Sequence, residues 1–217
     1  MNILAIAAHI GDGELMAGPY LCQALMDGNH GYMLALTAGE RGNPELEPEV
    51  YKVQKLEEAR IFSEKSGIEY QVFSDVPHAY LVASNDIVER VKKMILEKNI
   101  THVFTHWRGS FHPDHRQAHD IASQAVLQIN LLRKPVDQIN LLYCENWEDM
   151  DRFAHEEYFP ITQEAFERWK GSIEHARFVH GAFSKFRYLD YYSALLIIRG
   201  CLSDNARAVS MMRERLL

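Results

Sequence analysis

The stretch Asn2–Ala8 constrains the fold more than any other part of the chain. Every position after Asn2 is apolar, without the alternation of a strand that has one wet face. A run this short and unbroken marks a strand buried on both sides, as in a parallel sheet covered by helices. The residues that follow keep to that scheme. Glu14–Met26 carries Leu15, Tyr20, Leu21, Ala24 and Leu25 at helical spacing and ends at the turn Asp27-Gly28-Asn29. Tyr32–Thr37 reads as a second strand. Pro48–Ser66 reads as a helix opened by proline and closed by Gly67, with Val50, Val53, Leu56, Ala59 and Phe62 facing inward. Glu69–Phe73, His102–Thr105 and Ile139–Tyr143 continue the strands, and Asn85–Lys98 and about His115 to Leu127 the helices. Strand–helix alternation of this kind implies right-handed crossovers and an α/β fold with a mostly parallel central sheet. From Thr162 onward the pattern is more helical and less regular. Ala38–Glu47 and Ser74–Ser84 are the long connections.

Composition narrows the function classes. The 217 residues include 23 Lys+Arg against 30 Asp+Glu, a formal net charge of −7. This argues against nucleic acid or an anionic membrane as partner, since both are held by clustered cations. The longest apolar run, Ile3–Ala8, is far short of the roughly 20 residues a membrane span needs, and no basic lead precedes it as in a secretory signal. Cys22, Cys144 and Cys201 are odd in number and scattered, which suits a reducing cytoplasm and offers no disulfide framework.

Ligands in such folds bind beyond the carboxyl ends of the strands, and two of those ends are rich in His and Asp. After the first strand comes His9-Ile10-Gly11-Asp12-Gly13-Glu14. Gly11 and Gly13 suggest a dinucleotide loop, but its third glycine is Met16, and Glu40 lies too far on to be the ribose-binding acid. His9 and Asp12, three apart on a turn, can instead converge on one point. Asp12 could equally cap the helix that starts there. After the fourth strand, His106 and the block His112-Pro113-Asp114-His115 fall within ten residues. In that block one histidine can bind metal while the other, beside a carboxylate, serves as acid or base. His9, Asp12 and His115 together make two imidazoles and a carboxylate, leaving a coordination position for water. This is the donor set of catalytic zinc and also of non-haem iron. Trp107 beside the block is either a stacking wall for a ring-shaped ligand or part of the core. Tyr188, Tyr191 and Tyr192 suit the core better than a subunit interface.

Ala8-His9-Ile10-Gly11-Asp12-Gly13-Glu14-Leu15, with Gly18, resembles the signature A-H-P-D-D-x-E-[LI]-x-x-x-G of the LmbE-like (PIG-L) N-deacetylases, and His112-Pro113-Asp114-His115 resembles their second motif. Thr37-Ala38-Gly39-Glu40-Arg41-Gly42, Glu58 and Tyr143-Cys144-Glu145-Asn146-Trp147 extend the likeness over about residues 2–180. The resemblance implies a single LmbE-like deacetylase domain over residues 1–217, with a Rossmann-like three-layer fold. It further implies a zinc-dependent (or Fe²⁺-dependent) hydrolase that removes an acyl group from an N-acylated amino sugar, in an assembly that is often a homo-oligomer. Carried over, His9, Asp12 and His115 are the metal ligands. His112 is the general acid that stabilises the oxyanion, and Asp114 orients it. Lys55 and Asp75 fall where the family presents polar groups to the sugar. Two positions depart from the pattern: the motif's proline is Ile10 here, and the aspartate that serves the family as general base is Gly11. Three outcomes are open. His112 acts as base and then as acid, Glu14 supplies the carboxylate, or the protein binds a substrate and hydrolyses it weakly or not at all.

Overall fold

The structure is a computed structural model that describes residues 1–214. In chain order its elements are β1 (Asn2–His9), α1 (Asp12–Met16), α2 (Gly18–Met26), β2 (His30–Thr37), α3 (Pro48–Ser66), β3 (Glu69–Val72) and α4 (Asn85–Glu97). These are followed by β4 (His102–Thr105), α5 (Pro113–Asn130), β5 (Asn140–Cys144), β6 (Glu157–Pro160), α6 (Gln163–Ile173), α7 (Tyr188–Cys201) and β7 (Ala208–Arg213). The seven strands form one sheet in the order β3-β2-β1-β4-β5-β7-β6. The first five run parallel, and β7 lies antiparallel to both β5 and β6. The architecture is therefore α/β with a mostly parallel sheet between two helical layers, as the strand–helix alternation predicts.

β1 shows why its sequence is apolar throughout. Ile3, Ala5 and Ala7 pack into the layer that holds Leu21, Phe62 and Trp169, whereas Leu4, Ile6 and Ala8 pack against Val91, Ile95, Ala122 and Val126 on the other face. The predicted helix Glu14–Met26 is two helices, because Ala17 interrupts it and α2 restarts with Pro19 in its first turn. Gly18 at this break admits the Trp169 ring. A Cβ there would lie 2.9 Å from Trp169 Cδ1, and the Trp169 indole N–H donates to the Glu14 carbonyl at 2.7 Å.

Two sequence expectations are corrected. In α3, Val50 and Val53 point to solvent, Val53 being 69% exposed, and the buried face carries Tyr51, Lys55, Glu58, Ala59 and Phe62. Only the second half of α3 lies on the core. Its first half borders a polar cleft, so apolar spacing misjudges the helix by about one position. The C-terminal third holds helices as expected, but also β6 and β7, which complete the sheet. Among the described residues no helix is long and apolar enough to cross a membrane.

Candidate metal and catalytic site

The sheet order reverses direction between β1 and β4: β2 and β3 lie to one side, β5 to the other. At this switch point the loops leaving the strand ends part and open a cleft. β1 delivers His9, and the first turn of α1 delivers Asp12. β4 leads into His106, the start of α5 presents His112, Asp114 and His115, and β5 runs on to Asn146, Glu148 and Asp149.

Asp12 sits between two histidines. Its Oδ2 is 2.9 Å from His9 Nδ1 and 3.4 Å from His115 Nε2, and it also accepts the His9 backbone N–H at 3.0 Å. The far nitrogen of each ring rests on a second carboxylate. His9 Nε2 is 3.1 Å from Asp114 Oδ2, and His115 Nδ1 is 2.9 Å from Asp149 Oδ1. Asp149, fully buried, also holds His106 through Nδ1 at 2.7 Å. His106 Nε2 accepts the Ala8 backbone N–H at 3.1 Å, which fixes its proton on Nδ1.

Burial alone would lower the pKa of His115, but Asp12 and Asp149 override it and raise it to about 10. His9 is raised in the same way, by Asp12 and Asp114 against the opposing effect of burial. Asp12, despite burial, is held well below the carboxylate range by His115 and His9. The ligand atoms that converge here are His9 Nδ1, Asp12 Oδ2 and His115 Nε2. One ligand atom from each of these residues lies within 4.8 Å of the others. A divalent cation fits this set, because it would displace protons from imidazoles whose outer nitrogens are already anchored on carboxylates.

The rest of the cleft has an aromatic wall, with Tyr51, Trp147, Phe178, Phe183 and Tyr188 around the polar groups of Lys55, His78, Asn146 and Glu148. Glu148 Oε2 is 3.6 Å from His115 Nε2. Burial, countered in part by His115, raises its pKa to about 7. His112 also lines the cleft. Its Nδ1 accepts the Asp114 backbone N–H at 3.2 Å, so the neutral ring carries its proton on Nε2. Burial together with His9 and His115 lowers its pKa to about 4. With Nδ1 taken up by the Asp114 N–H, the neutral His112 ring offers its Nε2–H to the cleft as a hydrogen-bond donor. Asp114 touches His112 only through its backbone; its carboxylate supports His9 and accepts the Ala79 N–H at 2.7 Å.

Other expected site residues fare unevenly. Glu14 does not line the cleft. Its carboxylate accepts the Gly11 N–H at 2.8 Å and the Tyr70 hydroxyl at 2.9 Å, and so ties down the metal-side loop. Lys55 does line it, 3% exposed, with Nζ 3.3 Å from Glu58 and 3.9 Å above the Phe178 ring. Asp75 is exposed and bound bidentately by Arg90, away from the cleft. Trp107 lies outside the cleft too: its indole N–H donates to the Asp151 carbonyl at 2.8 Å, and its ring packs on Tyr143 and His119. Sequence reasoning missed Glu148, Asp149, His78 and Phe178. The two acids directly follow Trp147, where the fifth strand end should bear ligand-facing residues, and that position was the available signal. The lone His78 and Phe178 carried none.

The sequence profile of the GlcNAc-PI de-N-acetylase (PIG-L) family matches residues 4–126. The chain belongs to the PIG-L family. The match covers β1 through most of α5, hence every residue of the His9–Asp12–His115 set. No curated protein matches this family member in sequence. Among solved structures, it is similar to GalB, the 4-carboxy-2-hydroxymuconate hydratase from Pseudomonas putida KT2440. There the TM-score is 0.85 at 18% identity, with 100% of this chain and 98% of that chain covered. It is also similar to the A40926 pseudoaglycone deacetylase Dbv21 (TM-score 0.75, 21% identity, coverage 97% and 95%). The N,N'-diacetylchitobiose deacetylase from Pyrococcus horikoshii shares the fold as well, with a TM-score of 0.78 at 13% identity and coverage of 98% and 83%.

Proposed function

We propose that this PIG-L protein is a cytoplasmic, metal-dependent N-deacetylase, one domain over residues 1–217, acting on an N-acylated amino sugar or a similar small amide. The observation that carries the reading is the convergence of His9 Nδ1, Asp12 Oδ2 and His115 Nε2, each imidazole backed by a buried carboxylate. Family membership and two neighbours named as deacetylases support it. Zn²⁺, or Fe²⁺, held by these three residues would supply a Lewis acid for the amide carbonyl and for an attacking water.

The chain's own groups account for the proton traffic. Besides Asp12, Glu148 is the carboxylate that lines the cleft, and it takes the proton of the attacking water, the part that Gly11 cannot play. His112 Nε2–H donates to the carbonyl oxygen as it gains charge. When the C–N bond breaks, the proton held by Glu148 passes to the leaving amine, giving acetate and a free amino group. The aromatic wall stacks on the apolar faces of a sugar ring or its aglycone.

The test is metal content per chain together with acetate release from N-acetylglucosaminyl compounds, for wild type and His115→Ala. About one ion and turnover in wild type, with both lost in the variant, are expected. A wild type that binds no metal when zinc is offered sinks the proposal. A second reading, an altered reaction on the same metal frame, is favoured by Gly11, and GalB is a hydratase of this fold. Metal binding without acetate release from any N-acyl sugar selects it.

A further inference from the structure

His78 lines the same cleft as the metal-ligand set. It lies in the loop between β3 and α4, and three contacts fix this segment. The His78 N–H donates to Glu40 at 2.8 Å, the Ala79 N–H donates to Asp114 at 2.7 Å, and the Arg41 N–H donates to His78 Nδ1 at 3.1 Å. Ala79 is held at φ +68°, in the left-handed region, so the loop is pinned into its shape at a backbone cost. The His78 ring stands 4.5 Å from the His9 ring. It lies 6.0 Å from the His112 ring and nearly parallel to it, at 14°.

A ring nitrogen from each of His9, His78 and His112 lies within 4.8 Å of the other two, which invites a three-histidine metal centre. The hydrogen bonds argue otherwise. A backbone N–H can only donate, so Nδ1 of His78 and Nδ1 of His112 must both accept. A neutral imidazole that ligates through Nε2 needs its proton on Nδ1, where it would oppose Arg41 N–H in one ring and Asp114 N–H in the other. Both rings are instead fixed with the proton on Nε2. Neither Nε2 has a hydrogen-bond partner among the described residues.

We propose that His78 is a catalytic residue that donates a second hydrogen bond to the developing oxyanion, so that His78 and His112 form a paired-imidazole cradle for a tetrahedral anion beside the metal ligands. As water adds to the carbonyl carbon, the π-bond electrons move onto the oxygen, and both Nε2–H groups meet that charge. No proton is transferred by His78. The donors are set before substrate arrives, which is the condition for electrostatic stabilisation at no cost in reorganisation. The inference rests on the amide-hydrolase reading and deepens it.

The experiment compares wild type, His78→Ala and His78→Gln, all zinc-loaded, by acetate release and by calorimetric titration with methylphosphonate, a tetrahedral anion, and acetate, a planar one. For His78→Ala, kcat falls about 100-fold with KM changed less than about threefold, the expected loss of one oxyanion donor. Its methylphosphonate affinity falls at least about tenfold, its acetate affinity changes less, and its zinc content stays that of wild type. His78→Gln, which keeps an N–H donor, regains part of both losses. Unchanged kcat and methylphosphonate affinity in His78→Ala overturn the inference. So do equal losses in Ala and Gln, which mark a role in loop shape alone, or a loss of zinc, which marks a ligand. If wild type releases no acetate while methylphosphonate still discriminates His78→Ala from wild type, the deacetylase reading fails and the anion cradle stands.

Discussion

The Phe178 ring occupies the space that any side chain at Gly11 would need. A Cβ on Gly11 would lie 2.8 Å from Phe178 Cζ, and Gly11 itself adopts φ +114°. The missing base is thus part of a matched pair of positions, with a glycine in a conformation that L-residues rarely adopt and a ring filling the vacated volume. Gly11→Asp alone is therefore expected to destabilise the protein, lowering its melting temperature, and to leave acetate release no higher than in wild type. Gly11→Asp with Phe178→Ala removes the clash and should recover part of the lost stability. A single Gly11→Asp variant of wild-type stability and higher turnover would contradict this pairing.

Asp149 is not one of the predicted ligands, yet it holds the ligand His115 and the neighbouring His106 together. Asp149→Asn removes the charge behind His115 Nδ1 and should weaken zinc binding by about 10–100-fold, read as a competition against a chromogenic chelator. Affinity equal to wild type would mean that the carboxylate serves packing alone.

The two glutamates near the metal ligands should separate by readout. Glu148→Gln is expected to lower kcat by about 10²–10⁴-fold with zinc retained. Glu14→Ala strips the Gly11 N–H and Tyr70 hydroxyl of their acceptor and should cost about 1–3 kcal/mol of stability, measured by urea denaturation. The reverse pattern, with Glu14→Ala stable but inactive and Glu148→Gln active, would return the base to Glu14.

His115 gives the metal-stripped protein a distinct pH response. Its folded-state pKa is raised to about 10 against an ordinary 6.5. The resulting stabilisation is full below about pH 6.5 and is lost as pH rises through about 10. In the zinc-loaded form the metal replaces that proton, so the fall should be absent. Melting temperatures from pH 6 to 10, with and without chelator, test this, and parallel curves would refute it.

What the sequence revealed depended on whether a residue's partner was local. Ile3 to Ala8 announced a doubly buried strand because both faces meet apolar layers, and His112 to His115 announced a site because the residues are adjacent in the chain. Lys55 and Glu58 broke the inward spacing of α3, since that face borders a cleft whose other wall is built by residues 146–192. Asp149 drew no notice because its two partners lie 34 and 43 residues away. Trp107 is adjacent in sequence to the site and yet faces away from it. β7 was hidden for a similar reason: Ala208–Arg213 has weak strand character of its own and is defined by its neighbours β5 and β6.

The position of β7 sets the order in which the sheet can be assembled. β6 pairs with β7, and β7 is also its link to β5, yet about fifty residues separate the two strands along the chain. On a ribosome, β1 to β5 can pair as they emerge, whereas β6 must wait for β7 to slot in beside it. Glu148 and Asp149 lie in the segment between β5 and β6, so the loop that carries them is bounded by one strand of the parallel set and one that waits for β7. A growing chain would thus complete its parallel strands, with the ends that carry His9 and His115, before the antiparallel edge closes the sheet.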